Sequence, residues 1–441
     1  MIEQVDDIQA WSNLITSWAH SKQQLFFLSS CGQPSASSLE SYELVVGVGI
    51  QRRLVINQNN GIDYDAIRQF LKTPAWSFFC LSYDLNRDVA GTTQHAEHDE
   101  LNWPLMCLVE PEHVVTLSRI GQLEIISPDA KKIFADIQSG NPVGAYQTPK
   151  LSMGYTRNSM TSSEHYEKVE AIREEIAKGN MYEMNLCMET AVHHIDISDP
   201  FAFHRELLAI SPTPFSSYVQ LDGMHLMCAS PERYIRKSDN RLHCQPIKGT
   251  SARHLDAKED GKSREYLRHS IKERAEHVMI VDLVRNDLGR VGVTGSVTVD
   301  ELCGIYGYRQ VYQMVSTISC EPQRDVDIVD IVKNTFPMGS MTGAPKQIVM
   351  EYIGQLETAA RGWFSGSVGY IKPDGDFDSN VVIRSILYDE NLHTAKYSVG
   401  GAITYDSDPQ AEYQECLLKS SAIRQLFQRY ASQKVSAAGA A

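Results

Sequence analysis

Trp363–Thr404 reads WFSGSVGYIKPDGDFDSNVVIRSILYDENLHTAKYSVGGAIT. Three strand-like runs, WFSGSVGYI, NVVIRSILY and KYSVGGAIT, follow one another here, each apolar or β-branched and each bounded by turn residues. Upstream, MNLCMETAV, HLMCASPERYIR and LHCQPIKG repeat the pattern and alternate with long helical spacings. Strands gathered in this way, rather than each followed by its own helix, predict an α+β fold with large, mainly antiparallel sheets and not a βαβ repeat. Residues 1 to about 150 are β-rich as well, with LFFLSS, ELVVGVGI, WSFFCLSY and HVVTLS as candidate strands. A polar stretch, TPKLSMGYTRNSMTSS, then precedes the helical pattern EHYEKVEAIREEIAKG, where Thr161 and Glu164 form a capping box and Gly179 supplies the C-terminal stop. We therefore expect a β-rich region over 1–155, a second region over 156–430 and a disordered tail over 431–441, ending SAAGAA.

The chain of 441 residues carries 41 Lys and Arg against 55 Asp and Glu, a formal charge of −14. That balance argues against general affinity for nucleic acid or anionic membrane. The start, MIEQVDDIQAW, has neither the basic nor the apolar region of a signal peptide, and no apolar run reaches membrane-spanning length, so a cytoplasmic location is expected. Nine cysteines lie scattered without CxxC or a Cys/His cluster, the pattern of reduced, buried thiols. GVGIQ at Gly47–Gln51 is half of a dinucleotide fingerprint and opens no helix.

Two helical segments each carry E-x-x-E. In SREYLRHSIKERAEHVMIVDLVRNDLGR, apolar residues recur at Leu267, Ile271, Ala275, Val278 and Met279, and Gly289 marks the end. Glu273 and Glu276, three apart, share a face. In DSDPQAEYQECLLKSSAIRQLFQRY, Asp408 is the N-cap and Pro409 the first helical residue, with Glu412 and Glu415 again three apart and Lys419 a turn later. A single such pair is ordinarily a solvated face. Two of them beside apolar positions need compensation, and a hard cation such as Mg²⁺, which takes one or two carboxylates plus water and an anionic ligand, supplies it. A di-iron site would want E-x-x-H, whereas His277 follows Glu276 directly.

FPMGSMTGAPK resembles a phosphate loop but lacks G-x-x-x-x-G-K-[ST]; as a glycine turn opening a helix it suits a carboxylate instead. Gly400 and Gly401 of SVGGAIT offer a second such turn. Arg384 sits in an apolar run and, if inward, needs an anionic partner; the alternative is an outward-facing arginine. Lys248 stands where the strand run CQPIKGT meets a Gly-Thr turn.

ASPERY, PIKGT, KERAEHVMIVDLVRNDLGRV, GSMTGAPK, GSVGYI, VVIRS, GGAITYDSDPQAEYQE and LLKSSAI, in this order over about residues 160 to 425, resemble the chorismate-utilising enzymes. The resemblance implies two large antiparallel sheets packed face to face with helices outside, and a Mg²⁺-dependent cleft. It assigns Glu276 and Glu415 as metal ligands with Glu273 and Glu412 in support, and Ser340, Arg384, Gly400, Gly401 and Lys419 to the substrate's carboxylates. Isochorismate and salicylate synthases carry a water-activating lysine where this chain has Glu183, and anthranilate synthases usually carry alanine in place of Lys248. The lysine resembles the branch that aminates chorismate at C4.

In that branch the Lys248 amine attacks ring carbon C2, the C4 hydroxyl leaves with a proton from Glu232, and ammonia then displaces the lysine to give 4-amino-4-deoxychorismate, the precursor of para-aminobenzoate and folate. The amine must be uncharged to attack, and desolvation at a strand end favours that form. Ammonia comes from a separate glutaminase subunit, since no G-x-C-x-G elbow occurs in this chain. Tryptophan feedback is not expected, because FFLSSCG stands where inhibited anthranilate synthases carry LLES. Gln313, Phe364 and Ala402 depart from the family's usual histidine, tyrosine and glycine. The alternatives are anthranilate synthase component I and a non-catalytic chorismate-binding protein.

Overall fold

The computed structural model describes residues 1–33, 41–58, 61–86, 99–140, 148–309 and 311–438. Two antiparallel sheets carry the chain. The 12-stranded sheet runs Ile2–Gln4, Gln122–Ile126, His113–Ser118, Tyr42–Val48, Leu25–Ser29, Phe215–Leu221, Met224–Ser230, Ser385–Asp389, Thr394–Ile403, Glu183–His193 and Tyr155–Asn158, with Gly343–Ala344 added beside Glu183–His193. The 10-stranded sheet runs Ile247–Ala252, Val311–Cys320, Arg241–Gln245, Arg233–Ser238, Phe377–Asn380, Ser367–Ile371, Ser77–Leu81, Met106–Glu110 and Arg52–Ile56, with Thr298–Gly307 also on Val311–Cys320.

Alternation along the strands explains the layering. Phe26, Val45, Val114, Val219, Leu226 and Leu387 of the first sheet meet Phe78, Cys80, Cys107, Val109 and Val368 of the second in one buried cluster. Their neighbours Leu25, Phe27, Leu44 and Val46 point the other way, against the helices Ile8–His20, Ala130–Ser139 and Pro200–Ile210. The second sheet's outer residues, Phe79, Leu108, Ile235 and Ile318, pack on the helices Tyr64–Leu71, Ile271–Val291 and Ile328–Thr335. The expected pair of face-to-face sheets with outer helices is what forms. Gly47 lies at the sheet contact, where an added Cβ would stand 2.6 Å from the Phe78 ring, so close packing of the layers accounts for the glycine of GVGIQ.

Both sheets draw strands from either side of residue 155. The tail from residue 431 lies beyond the residues whose side chains are described. All nine cysteines are free, eight of them buried. Among the described residues no helix is long and apolar enough to cross a membrane.

Three local expectations need correction. The run NVVIRSILY is not one strand: Phe377–Asn380 belongs to the 10-stranded sheet, Ser385–Asp389 to the 12-stranded sheet, and Val381–Arg384 connects them. Its apolar character reflects burial between two sheets. The E-x-x-E segment 257–291 is two helices, Ala257–His269 and Ile271–Val291, separated at Ser270, whose side chain accepts from the Glu273 N–H. The second buries His277, Ile280, Val281, Val284 and Leu288 and leaves Ile271 and Val278 exposed, and it runs past Gly289 to a cap at Gly292. The capping box at Thr161 and Glu164 and the cap at Asp408 with Pro409 form as read.

Candidate active site

Two crossings between the sheets run side by side. Met224–Ser230 passes into Arg233–Ser238 through Pro231 and Glu232, just as Phe377–Asn380 passes into Ser385–Asp389. The crossings are tied by Val381 N–H to Glu232 O at 3.0 Å and by Ala229 N–H to Arg384 O at 3.2 Å. Pro231 cannot donate to a ladder, which ends one strand there. The side chains of Glu232 and Arg384 are thus delivered by backbone that sheet pairing holds on both sides. Arg384 has φ +52, a left-handed conformation that costs a non-glycine residue about 1–3 kcal/mol and is typical of functional positions.

Glu232 is 5% exposed. Burial pushes its carboxyl up to about 7, against the opposing influence of Ser340, Lys248, the Ile247 backbone and Arg384. A carboxyl that keeps its proton near neutrality can act as a general acid. Its neighbour Arg233 turns away and pairs with Asp378 at 2.9 Å and with Gln245, so Arg233 is structural. Burial pushes the Arg384 guanidinium down, and the Glu232 charge pulls it back up. Arg384 faces inward, the reading that requires an anion.

Lys248 stands on a bulge. The strand Ile247–Ala252 pairs Ile247 with Val315 and Thr250 with Gln313, so the register slips across Lys248 and Gly249. Bulges re-aim side chains. Gly249 has φ +83, and a Cβ there would lie 3.0 Å from Glu273 Oε2. Lys248 Nζ, on a side chain 13% exposed, donates to Glu183 Oε1 at 2.7 Å. Its charge is also felt by Glu232, Glu273, Glu276 and Glu415. The sequence pointed to Glu183 only as a branch marker; its pairing with Lys248 appears only in the fold.

The helices Ile271–Val291 and Pro409–Lys419 carry the four glutamates within electrostatic reach of one another: Glu273 and Glu412 each feel Glu415, and Glu276 feels Glu273. Burial pushes Glu276 up to about 7 and also raises Glu273 and Glu412. Glu415 is lowered by the Lys419 ammonium 2.8 Å away. Among the described residues no group of three His, Cys, Asp or Glu side chains could by itself hold a metal ion. Glu276 faces Lys272 at 3.8 Å, and Glu415, 52% exposed, is paired with Lys419; accessible carboxylates of this kind fit a hard cation bound through one or two of them and completed by water and ligand oxygens. His277 turns into the core, bonded through Nε2 to Ser316 Oγ at 2.7 Å.

Gly400 and Gly401, expected as a turn, lie inside the strand Thr394–Ile403, paired with Cys187 and Leu186. A continuous ladder with Glu183–His193 leaves no room for a turn. Glycine is needed at 400, where a Cβ would stand 2.5 Å from Cys187 Sγ, and Gly400 O accepts from Lys419 Nζ at 3.1 Å. In GSMTGAPK, Ser340 sits beside the Glu232 carboxyl while Lys346 turns the other way, to Asp287 at 2.6 Å and Thr335 O at 3.0 Å. Gly343, with φ +148, packs on the Glu183 carbonyl. The glycines here serve packing.

Gln313 is buried opposite Thr250, and its Oε1 has no partner among the described residues. Phe364 belongs to the second sheet's outer core, and Ala402 pairs with Asn185. Sequence reasoning missed a buried brace behind the cleft: Arg361 binds Glu357 at 2.7 Å, Asn185 O at 2.9 Å and Met341 O at 2.6 Å, while Glu357 Oε1 receives Cys187 N–H at 2.8 Å. Both residues lie beyond the end of the helix Lys346–Leu356, so no helical spacing signalled the pair.

The architecture is thus a two-sheet sandwich whose paired strand crossings carry an acid, Glu232, and an arginine, Arg384. The chain belongs to the chorismate binding enzyme family, which matches residues 26–425. It is 33% identical over 350 residues to "Aminodeoxychorismate synthase component 1" of Escherichia coli, covering 77% of this chain and 74% of that one. It is 41% identical over 268 residues to "Probable aminodeoxychorismate synthase, chloroplastic" of rice (Oryza sativa subsp. japonica), covering 59% of this chain but spanning only 29% of that relative. Among solved structures, anthranilate synthase component I from Streptococcus pneumoniae matches with a TM-score of 0.74 at 23% identity, over 88% of this chain and 93% of that one. That last likeness concerns the fold.

Proposed function

We propose that the chain aminates chorismate at C4 to give 4-amino-4-deoxychorismate, for para-aminobenzoate and folate synthesis. The observation that carries the reading is that the enclosed Lys248 amine, bonded to Glu183, lies within electrostatic reach of the buried Glu232 carboxyl, which burial raises to about 7. The relatives' printed names support the same chemistry.

In this reading Arg384, Lys419 and Ser340, with the strand edge at Gly400 and Gly401, hold the two carboxylates of chorismate. Lys248 Nζ forms a bond to C2; both ring double bonds shift one position; the C4–O bond breaks, and Glu232 gives its proton to the departing hydroxyl, which leaves as water. Ammonia then bonds to C4, the double bonds return, and the C2–N bond breaks to free Lys248. The ammonium formed at C4 returns a proton to Glu232. Mg²⁺, held by Glu276 and Glu415 with Glu273 and Glu412 in support, would supply positive charge for the substrate's carboxylate oxygens. A glutaminase subunit supplies the ammonia, consistent with the "component 1" of the relatives' names. The setting is cytoplasmic.

Mass spectrometry after incubation with chorismate and Mg²⁺, without ammonia, tests this. A chorismate-derived ring adduct on Lys248 is expected; its absence, or direct release of fluorescent anthranilate when ammonia is present, overturns the reading.

A further inference from the structure

We infer that Glu183 both positions the Lys248 amine and takes its proton as it attacks, an inference that rests on the amination reading above.

Glu183 begins the strand Glu183–His193 and is locked there. It pairs with Ala344, Gly343 packs directly on its carbonyl, and Asn185 two residues on donates through Nδ2 to Ser340 O at 2.9 Å. Its carboxylate is 1% exposed. One oxygen holds Lys248 Nζ at 2.7 Å, and the other, Oε2, is buried with no partner among the described residues. A buried carboxylate oxygen left without a donor is costly unless a proton or donor reaches it at some stage. The amine beside it must shed a proton to become a nucleophile.

The other groups facing Lys248 are Glu273, Glu276 and His277 from the 271–291 helix, Glu415 from the 409–419 helix and Glu232 from the strand crossing. None fits the role as well. Glu232 must begin protonated, because it supplies the proton to the leaving hydroxyl. Glu273, Glu276 and Glu415 belong to the cation-binding set. His277 is committed to Ser316, and burial pushes it down to about 4. Glu183 is the carboxylate in hydrogen-bond contact with Nζ.

The step balances within the pair. One proton passes from the Lys248 ammonium to Glu183, leaving a neutral amine and a neutral carboxyl. The amine lone pair forms the C2–N bond, and the resulting secondary ammonium needs no further proton. When ammonia displaces it, Lys248 departs as a neutral amine and recovers its proton from Glu183. No net proton is exchanged with solvent in the adduct step.

The test is the rate of Lys248 adduct formation in the full chain, with chorismate and Mg²⁺ but no ammonia, for wild type, Glu183→Gln and Glu183→Asp between pH 6 and 9. The ratio of variant to wild type cancels the contribution of Glu232. For Glu183→Gln the amine must lose its proton to solvent. A loss of about 100-fold at pH 6, recovering by up to tenfold per pH unit, is expected. Glu183→Asp keeps a carboxylate, and its ratio stays constant with pH. A Glu183→Gln ratio that does not change with pH overturns the proton-accepting role. So does a Glu183→Asp ratio that climbs with pH. If Glu183→Gln does not fold, Glu183→Ala, which also lacks the carboxylate, takes its place and is read by the same pH dependence. Absence of an adduct in the wild type instead overturns the amination reading itself, and this inference with it.

Discussion

Two lysine–glutamate pairs hang from one strand, and they differ in kind. Glu189 binds Lys396 at 3.3 Å with both side chains nearly inaccessible, and Lys396 belongs to an unbroken ladder, paired opposite Ala191. Glu183 binds Lys248 at 2.7 Å, but Lys248 stands on a bulge at the cleft and senses Glu232, Glu273, Glu276 and Glu415 as well. A buried pair held by regular pairing is a piece of scaffold. The same pair placed on irregular backbone, amid surplus negative charge, has chemistry available to it. Burial of a lysine alone does not separate the two cases; the register of the strand beneath it does.

The comparison breaks most sharply at the two lysines. Lys248→Ala is expected to reduce amination per folded molecule by roughly 10³-fold or more, measured with ammonia and chorismate, in addition to the stability cost of stranding the buried Glu183. Lys396→Ala should show the stability cost alone: it strands Glu189 as a buried charge at a cost of about 3–5 kcal/mol in urea unfolding, while activity per folded molecule stays within about twofold. Glu232→Gln comes next, with a loss of about 10²–10⁴-fold. Its carboxyl, raised to about 7, is protonated below that pH and loses its proton above it, so wild-type turnover falls as pH rises through 7; the variant's residual rate lacks that limb.

Glu276→Gln sharpens the comparison from the acidic side. The folded carboxyl titrates near 7 rather than at the ordinary value of 4.5, so between those values the folded chain holds a proton that the unfolded chain has released, and stability falls as pH rises across that window. The substitution should remove that slope, a gain on the order of 2 kcal/mol at pH 8 by denaturant titration without metal, and Mg²⁺ should stabilise the wild type more than the variant. The smallest effect is expected for Gly249→Ala, about 1–2 kcal/mol by thermal melting, because φ +83 disfavours a side chain and the new Cβ crowds Glu273.

Much of this was legible beforehand. The alternation in the candidate strands, the capping box at Thr161 and Glu164 and the start at Asp408 and Pro409 depend on neighbours within a few residues, and each formed. The E-x-x-E pairs were visible for the same reason. What misled was apolarity without direction. VVIRSIL is apolar because it crosses between sheets, and Ile271 and Val278 are apolar yet exposed, because a helix's buried face is chosen by what packs on it. Gly400 and Gly401 read as a turn since glycine permits one, whereas their place in a ladder was set by Cys187 and Leu186 across the strand.

From its residues alone, this chain is committed to α+β elements, to two helices presenting paired carboxylates, and to a lysine and a glutamate at strand ends. These follow from local periodicity, capping and side-chain chemistry. That Glu232 and Arg384 emerge from adjacent crossings, that the Lys248 amine meets Glu183, and that Lys346 is spent on Asp287 instead of a ligand were decided only by tertiary structure. Their partners lie tens to hundreds of residues away along the chain, and only long-range strand register and the packing of one sheet on another bring such distant charges into contact.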